Sequence, residues 1–140
     1  MIATSSHRIT SESELANLAH ASRAVVYVTV DWSVPERESR ERFHTLVESV
    51  SREHPLAGIQ FFVVAEDEPF VRTWLQRVSY LYSSPSFGGF GYGSVIWLEH
   101  DQLRHYVLYP LMRGHEVDLY AETLRIFGIS AQPITGANAG

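Results

Sequence analysis

The sequence predicts an α/β fold in which a mixed sheet of four to five strands is flanked by helices on both faces. Candidate strands and helices alternate through residues 7–78, as they do when helical crossovers connect parallel strands. The β-branched run at residues 24–32 is typical of a strand in the buried middle of such a sheet. Two later apolar segments, residues 94–99 and 103–109, flank a turn at residues 100–102 and predict an antiparallel hairpin.

The first two predicted elements are a short strand and a short helix. Residues 7–10 are a candidate strand, and Ser11 with Glu14 three residues later predicts a capping box that opens a helix ending near Ala21. The central strand, residues 24–32, comes next. Its buried character is predicted from its valines, Val25, Val26, Val28 and Val30.

Two longer helices are predicted on either side of a third strand. Pro35 suits the first turn of a helix that continues to about Arg52. Its inner face is predicted to consist of Phe43, Leu46, Val47 and Val50. Residues 59–64 form the third strand, after which Asp67 is the expected N-cap of a helix with Pro69 just inside. The inner face of that helix is predicted to consist of Phe70, Val71, Trp74, Leu75 and Val78.

The C-terminal part contains a loop, the hairpin and a last helix. Residues 79–93 are too rich in Gly and Ser for regular structure and predict a long loop. The last helix is expected over residues 115–127, with Gly128 at its C′ position. Its inward residues are predicted to be Val117, Tyr120, Ala121, Leu124 and Phe127. We expect residues 1–128 to form one domain and residues 129–140 to form a flexible tail.

The composition excludes several kinds of chemistry. The chain has no cysteine, which excludes dithiol exchange and thiolate metal sites, and it has no lysine. The net charge of −5 with scattered arginines gives no basic stripe, so we expect no nucleic-acid partner. No apolar run is long enough to span a membrane, and we expect a cytoplasmic protein without membrane contact. The seven histidines lack metal-binding spacing, so neither a metal nor a cofactor is expected.

Several features taken together resemble the thioredoxin family over residues 7–127. They are the strand ending in Asp31 and Trp32, the Trp-x-x-Pro pattern completed by Pro35, the acidic segment 66–69 that opens a helix, and the closing hairpin followed by a helix. Their order and spacing are more specific than any one of them. The resemblance implies a thioredoxin-like fold.

The residues that carry thioredoxin chemistry are replaced in this chain. Ser33 falls where the family has its attacking cysteine, and Glu36 falls where it has the resolving cysteine. Tyr27 lies near the position of the family's buried acid, and Gly93 or Ser94 replaces the cis-proline that faces the cysteine pair. The resemblance therefore implies a redox-inactive, cysteine-less member of the family.

The leading functional hypothesis is a domain that binds a protein or peptide partner and is not an enzyme. Its binding surface would be the degenerate turn and the loop facing it: Trp32, Ser33, Val34, Pro35, Glu36, Tyr92, Gly93 and Ser94. One alternative is an enzyme that binds glutathione or an anion at Ser33, although serine at a helix start is usually only a cap. Another is a structural subunit that forms homo-oligomers through the hairpin edge or the aromatic loop.

Two further segments have both a structural and a functional interpretation. In the first turns of the long helix, Glu36 with Arg40 and Glu38 with Arg42 are i,i+4 pairs, which predict a solvated face or a charged patch beside the Trp32 turn. The loop carries aromatic residues that either plug the sheet edge or form an interface: Tyr80, Tyr82, Phe87, Phe90 and Tyr92.

Overall fold

The computed structural model describes four segments of the chain, residues 6–30, 37–79, 93–108 and 117–130. The strands in these segments are β1 Ser6–Arg8, β2 Arg23–Thr29, β3 Ile59–Ala65, β4 Ser94–Glu99 and β5 Gln102–Val107. The helices are a 3-10 turn Glu12–Glu14, then α1 Leu15–His20, α2 Arg37–Glu53, α3 Pro69–Val78 and α4 Leu119–Phe127. The element order agrees with the prediction from the sequence.

The five strands form one mixed sheet in the order β1-β3-β2-β4-β5. β3 is parallel to both β1 and β2, whereas β4 is antiparallel to β2 and to β5. In the central strand, Tyr27 pairs with Val63 of β3 on one side and with Val95 of β4 on the other. The predicted mixed sheet with an antiparallel edge is confirmed.

Each face of the sheet is covered by two helices and has its own core. On the α1/α3 face, the largest buried side chains are Leu18, Phe62, Trp74, Leu75, Ile96 and Leu98. On the α2/α4 face, they are Tyr27, Phe43, Leu46, Phe61, Trp97 and Phe127. Burial of apolar area on both faces is the main force that holds helices on a sheet. The predicted inner residues of α2 are all buried.

The ends of the first two strands differ from the prediction. β1 stops at Arg8, although the Ile9 N–H still donates a hydrogen bond to the Val63 carbonyl at 2.9 Å. β2 stops at Thr29, and Val30 is buried without strand pairing. The apolar pattern continues past both ends because it reports burial, which extends beyond the hydrogen-bonded ladder.

The predicted capping box at Ser11 is wrong. The Ser11 side chain makes no cap hydrogen bond, and its Oγ lies 3.1 Å from the Ser13 hydroxyl instead. The Glu14 carboxylate reaches further back and accepts from the Thr10 N–H at 2.7 Å. The Ser11 and Glu14 pattern therefore predicts the position of the helical turn correctly. The Glu14 carboxylate, however, accepts a hydrogen bond from Thr10, the residue before the expected cap.

Two helices begin later than predicted. Asp67 is not the cap of α3, because Glu68 occupies that position and caps through its backbone carbonyl alone. α4 begins at Leu119, four residues after the expected start, where the Asp118 carboxylate accepts from the Ala121 N–H at 3.0 Å. The buried face of α4 therefore differs from the predicted inward face. Ala121 is exposed, whereas Leu119 and Thr123, which were not predicted to face inward, are buried.

The hairpin turn is one residue shorter than predicted. His100 and Asp101 both have positive φ, at 53° and 64°. Gln102 is already the first residue of β5 and pairs with Glu99, the last residue of β4. A turn with two left-handed residues matches the twist of the flanking strands, which favours the two-residue hairpin. β5 ends at Val107 and not at residue 109.

The end of α4 confirms the prediction for Gly128. Its φ of 65° places it in the left-handed region, and its N–H bonds to the Arg125 carbonyl at 3.3 Å. The Ile129 N–H bonds to the Leu124 carbonyl at 2.8 Å, which completes a Schellman motif. The division into a domain of residues 1–128 and a tail stays a prediction. In the described segments, no helix has the length and apolar character needed to cross a membrane.

Candidate functional site

Two of the residues predicted to form the binding surface lie in the described part of the chain, Gly93 and Ser94. The others lie outside it: Trp32, Ser33, Val34, Pro35, Glu36 and Tyr92. The aromatic residues of the predicted loop are also outside the described segments. The binding role of all these residues, including the two interpretations of Ser33, stays a prediction.

Gly93 is held in close contact with helix α2 just before β4 begins. It is buried, its φ is +93°, and its N–H donates to the Val28 carbonyl at 3.1 Å. A Cβ added at this position would lie 2.6 Å from Ser39 Cβ and 3.0 Å from the Tyr27 hydroxyl. Both the backbone angle and the contact therefore require glycine. This packing holds the start of β4 against α2 and against Tyr27 of the α2/α4 core.

Tyr27 lies beneath Gly93 and is 1% exposed. Its ring packs against Phe43 of α2 with the centroids 5.1 Å apart, and its hydroxyl points toward the Gly93 backbone. Tyr27 carries a phenol and no carboxyl group, so it cannot supply the carboxylate that the resemblance places near this position. In this chain the position supplies a large buried ring and a hydroxyl.

Ser94 is completely buried at the first residue of β4. It pairs with Val28, and it lies on the same face of β4 as Ile96 and Leu98, which belong to the α1/α3 core. Its side chain is therefore on the face opposite to Ser39. Of the two described residues, Gly93 therefore packs against α2, and Ser94 lies on the α1/α3 face of the sheet.

A small pocket partly lined by basic side chains includes Tyr27 and was not predicted from the sequence. Its basic residues are Arg8 of β1 with Arg40 and His44 of α2. The sequence pattern places Arg40 on the solvated charged face of α2, and Arg8 lies in a strand too short to show a pattern. The i,i+4 spacing of Arg40 and His44 was the available signal, but the parallel pairing of β1 with β3 is needed to bring Arg8 beside them.

The charged face of α2 is confirmed where the structure describes it. Arg42 Nη2 lies 3.3 Å from Glu38 Oε2, and the two side chains are 38% and 68% exposed. An exposed pair of this kind stabilises a helix by only about 0.3–0.5 kcal/mol. The predicted partner of Arg40, Glu36, lies outside the described residues.

Comparison with known proteins identifies similar structures at low sequence identity. Oxidized thioredoxin O2 from Arabidopsis thaliana is 15% identical, with a TM-score of 0.51 over 75% of this chain and 83% of its own. A designed protein is 17% identical, with a TM-score of 0.58 over 93% of this chain and 98% of its own. Human ERp44 is 18% identical, with a TM-score of 0.58 over 89% of this chain but 30% of its own. No protein-family model and no curated protein matches the sequence.

These similarities show the fold and nothing finer. The five-stranded mixed sheet with helices on both faces is the thioredoxin-like fold, as the resemblance in the sequence implies. Because the sequence contains no cysteine, these 140 residues have no thiol-disulfide oxidoreductase activity. The molecule is a cysteine-less protein with a thioredoxin-like fold.

Proposed function

We propose that this chain is a redox-inactive thioredoxin-like domain that binds a protein or peptide partner. The partner contacts the surface predicted from the sequence, which is centred on Trp32 and Gly93. The observation that supports this proposal is the close packing of Gly93 against Ser39 and Tyr27. A reactive centre needs a nucleophile or a titrating group near the pH of use. A binding surface needs a fixed backbone, and the packing of Gly93 supplies one.

The charge of α2 gives the expected partner its chemical character. The exposed residues of the first turns are mostly charged: Arg37, Glu38, Arg40 and Glu41. A partner that reaches the Trp32 turn would therefore meet charged groups on the helix beside it. We expect binding to weaken as the salt concentration rises, since exposed charges are screened over about 10 Å at 0.1 M ionic strength.

Affinity capture from the native host with three forms of the protein tests the proposal. Wild type and Gln76→Ala, which changes an exposed residue of α3, should retain the same partner, while Trp32→Ala should lose it. With the purified partner, calorimetry should give a dissociation constant about tenfold or more higher for Trp32→Ala, because aromatic anchors dominate interface energies. A thermal melt checks that the variants are folded. Equal binding by Trp32→Ala and wild type would contradict the proposal.

The two alternative functions give different results in the same samples. If glutathione raises the melting temperature and Ser33→Ala abolishes the shift, the chain is a glutathione-binding protein. If size-exclusion chromatography shows concentration-dependent self-association, the chain is an assembly subunit. We expect neither result, and we expect no reduction of insulin disulfides.

A further inference from the structure

Helix α3 begins without the side-chain cap that helix α4 has, although the two helices are similar in length. α3 has ten residues, and its N-cap residue, Glu68, makes no side-chain cap hydrogen bond. α4 has nine residues, and its N-cap residue, Asp118, accepts from the Ala121 N–H at 3.0 Å. Helices of this length are marginal by themselves, so their stability comes from caps and packing. α3 therefore depends on packing more than α4 does.

Two buried polar groups on the α3 segment have no hydrogen-bond partner in the described residues. Trp74 is 3% exposed, and Ser79, the C-cap residue, is 2% exposed. The groups without a partner are Trp74 Nε1 and Ser79 Oγ. When α3 separates from the sheet, water can bond to both groups, so the open form regains hydrogen bonds that the closed form lacks. Both groups therefore lower the free energy that is needed to open α3.

The contacts that hold α3 closed are mainly apolar. Val71 and Leu75 are completely buried and belong to the α1/α3 core. On the outer side, Arg77 donates to the Asp101 carboxylate at 2.8 and 3.3 Å, but the Arg77 side chain is 54% exposed. Solvent screens an ion pair with this exposure, so it adds little to the stability of the closed form. Apolar burial is thus the main resistance to separation of α3 from the sheet.

We propose that α3 opens locally from the sheet while the strands and the α2/α4 face stay folded. Proteins open in cooperative units whose free energies range from near zero to that of global unfolding. The opening exposes Val71, Trp74 and Leu75, which form an apolar surface that the closed protein buries. An apolar surface of this kind is a contact site for other apolar groups. None of these residues belongs to the surface proposed for the partner, so the opening is independent of the proposed function.

Amide hydrogen exchange, followed by NMR at increasing urea concentration, tests the proposal. We expect the α3 amides to exchange about tenfold or more faster than those of β2 and α4, after correction for intrinsic rates. Their exchange should also accelerate less steeply with urea, because local opening exposes less surface than global unfolding. Equal exchange free energies and equal urea dependence in α3, α4 and β2 would overturn the proposal, since α3 would then exchange only through global unfolding.

Two substitutions that repair α3 test the cause of its opening. Ser79→Ala removes the hydroxyl that has no partner in the described residues, and Glu68→Asp places a better N-cap residue of the same charge. Each should slow the exchange of α3 about fivefold and leave α4 unchanged. Faster exchange of α3 in Ser79→Ala, or unchanged exchange in both variants, would overturn the proposal.

The matched control is Thr123→Val, which also removes a buried hydroxyl. The Thr123 hydroxyl has partners, because it accepts from Trp97 Nε1 and donates to the Leu119 carbonyl. Its loss should therefore speed the exchange of α4 and leave the exchange of α3 unchanged, since α3 opens without unfolding of α4. If α3 accelerates as much as α4 in this variant, the two helices open together and the proposed local opening is wrong.

Discussion

The two faces of the sheet bury comparable apolar cores but treat their polar groups differently. On the α2/α4 face, Trp97 Nε1 donates to Thr123 Oγ1 at 2.9 Å, and that hydroxyl donates to the Leu119 carbonyl at 2.8 Å. On the α1/α3 side, Trp74 Nε1 and Ser79 Oγ are buried and have no hydrogen-bond partner in the described segments. A series of buried hydrogen bonds in which every polar group has a partner favours one packing arrangement. A buried polar group without a partner lowers the free energy of unfolding.

The hydrogen-bonded face is therefore the one on which the fold holds its side chains in fixed positions. The described part of the candidate site adjoins the α2/α4 face, where Gly93 packs against Ser39 and Tyr27. That face combines directional bonds with close contacts, so small changes in it should be costly. The α1/α3 face depends mainly on apolar burial, which tolerates adjustment of side chains better. Mutations that change each face in turn test this contrast.

Gly93→Ala should be the most destabilising of these changes. The new Cβ would meet Ser39 Cβ at 2.6 Å in a backbone with φ of +93°. Overpacking costs about 1–3 kcal/mol and the left-handed backbone about 1 kcal/mol, so urea unfolding should show a loss of about 2–4 kcal/mol. Gly58→Ala is the matched control, because its φ is +74° and nothing lies within 4 Å of the added Cβ. It should lose only the backbone contribution.

A double-mutant cycle separates the contact from the backbone strain. Ser39→Gly removes the Ser39 atoms that the new Cβ meets and leaves only the contact with the Tyr27 hydroxyl at 3.0 Å, so the combination with Gly93→Ala should cost less than the sum of the two single changes. If Gly93→Ala costs no more than Gly58→Ala, the close packing of the site against α2 is wrong.

The two buried tryptophans give the next contrast. Trp97→Phe breaks the bond to Thr123, whereas Trp74→Phe removes an N–H that has no partner in the described segments. Both lose similar apolar area, so the difference isolates the polar group. We expect Trp97→Phe to be more destabilising than Trp74→Phe by about 1–2 kcal/mol in urea unfolding. Equal losses would show that the hydrogen-bonded chain does not distinguish the two faces.

Tyr120 makes the α2/α4 side sensitive to alkaline pH. Burial raises the pKa of Tyr120 above its usual value of 10.0, and the nearby Glu53 carboxylate raises it further. The unfolded chain therefore loses this proton first as the pH rises. Stability should be constant below pH 10.0 with respect to this group and should fall as the pH rises through the pKa of the folded state.

Tyr120→Phe should remove this part of the alkaline decline. At neutral pH the variant should lose about 1 kcal/mol, because the Tyr120 hydroxyl lies 2.9 Å from His54 Nε2 in a half-buried hydrogen bond. Glu53→Gln should reduce the alkaline decline without abolishing it. Urea midpoints measured across the alkaline range check both variants, and an unchanged decline in Tyr120→Phe would assign the effect to other groups.

The sequence predicts most of the fold because its periodic signals report burial directly. The valines of β2 and the apolar stripe of α2 depend on local spacing, and both are confirmed. Helix starts are predicted less well, since several residues can cap a helix and the choice depends on the preceding loop, as Asp67 and Asp118 show. The contact of Gly93 with Ser39 joins positions distant in the chain, so spacing alone gives no signal for it.

The smallest effect is expected at Glu14, on the surface of the α1 side. The Thr10 N–H and then the Thr10 hydroxyl bond to this carboxylate and hold its pKa below the usual 4.5, with a further contribution from the charge of His7. Its contribution is present above pH 4.5 and is lost as the pH falls through the pKa of the folded state. Glu14→Gln should weaken the acid decline, while Glu12→Gln, with the same charge change in the same turn, should not. Because Glu14 is solvent-accessible, the difference in urea midpoint between Glu14→Gln and wild type should be smaller than the difference for Tyr120→Phe. A larger difference for Glu14→Gln would show that directional hydrogen bonds stabilise the α1/α3 side as much as the α2/α4 side.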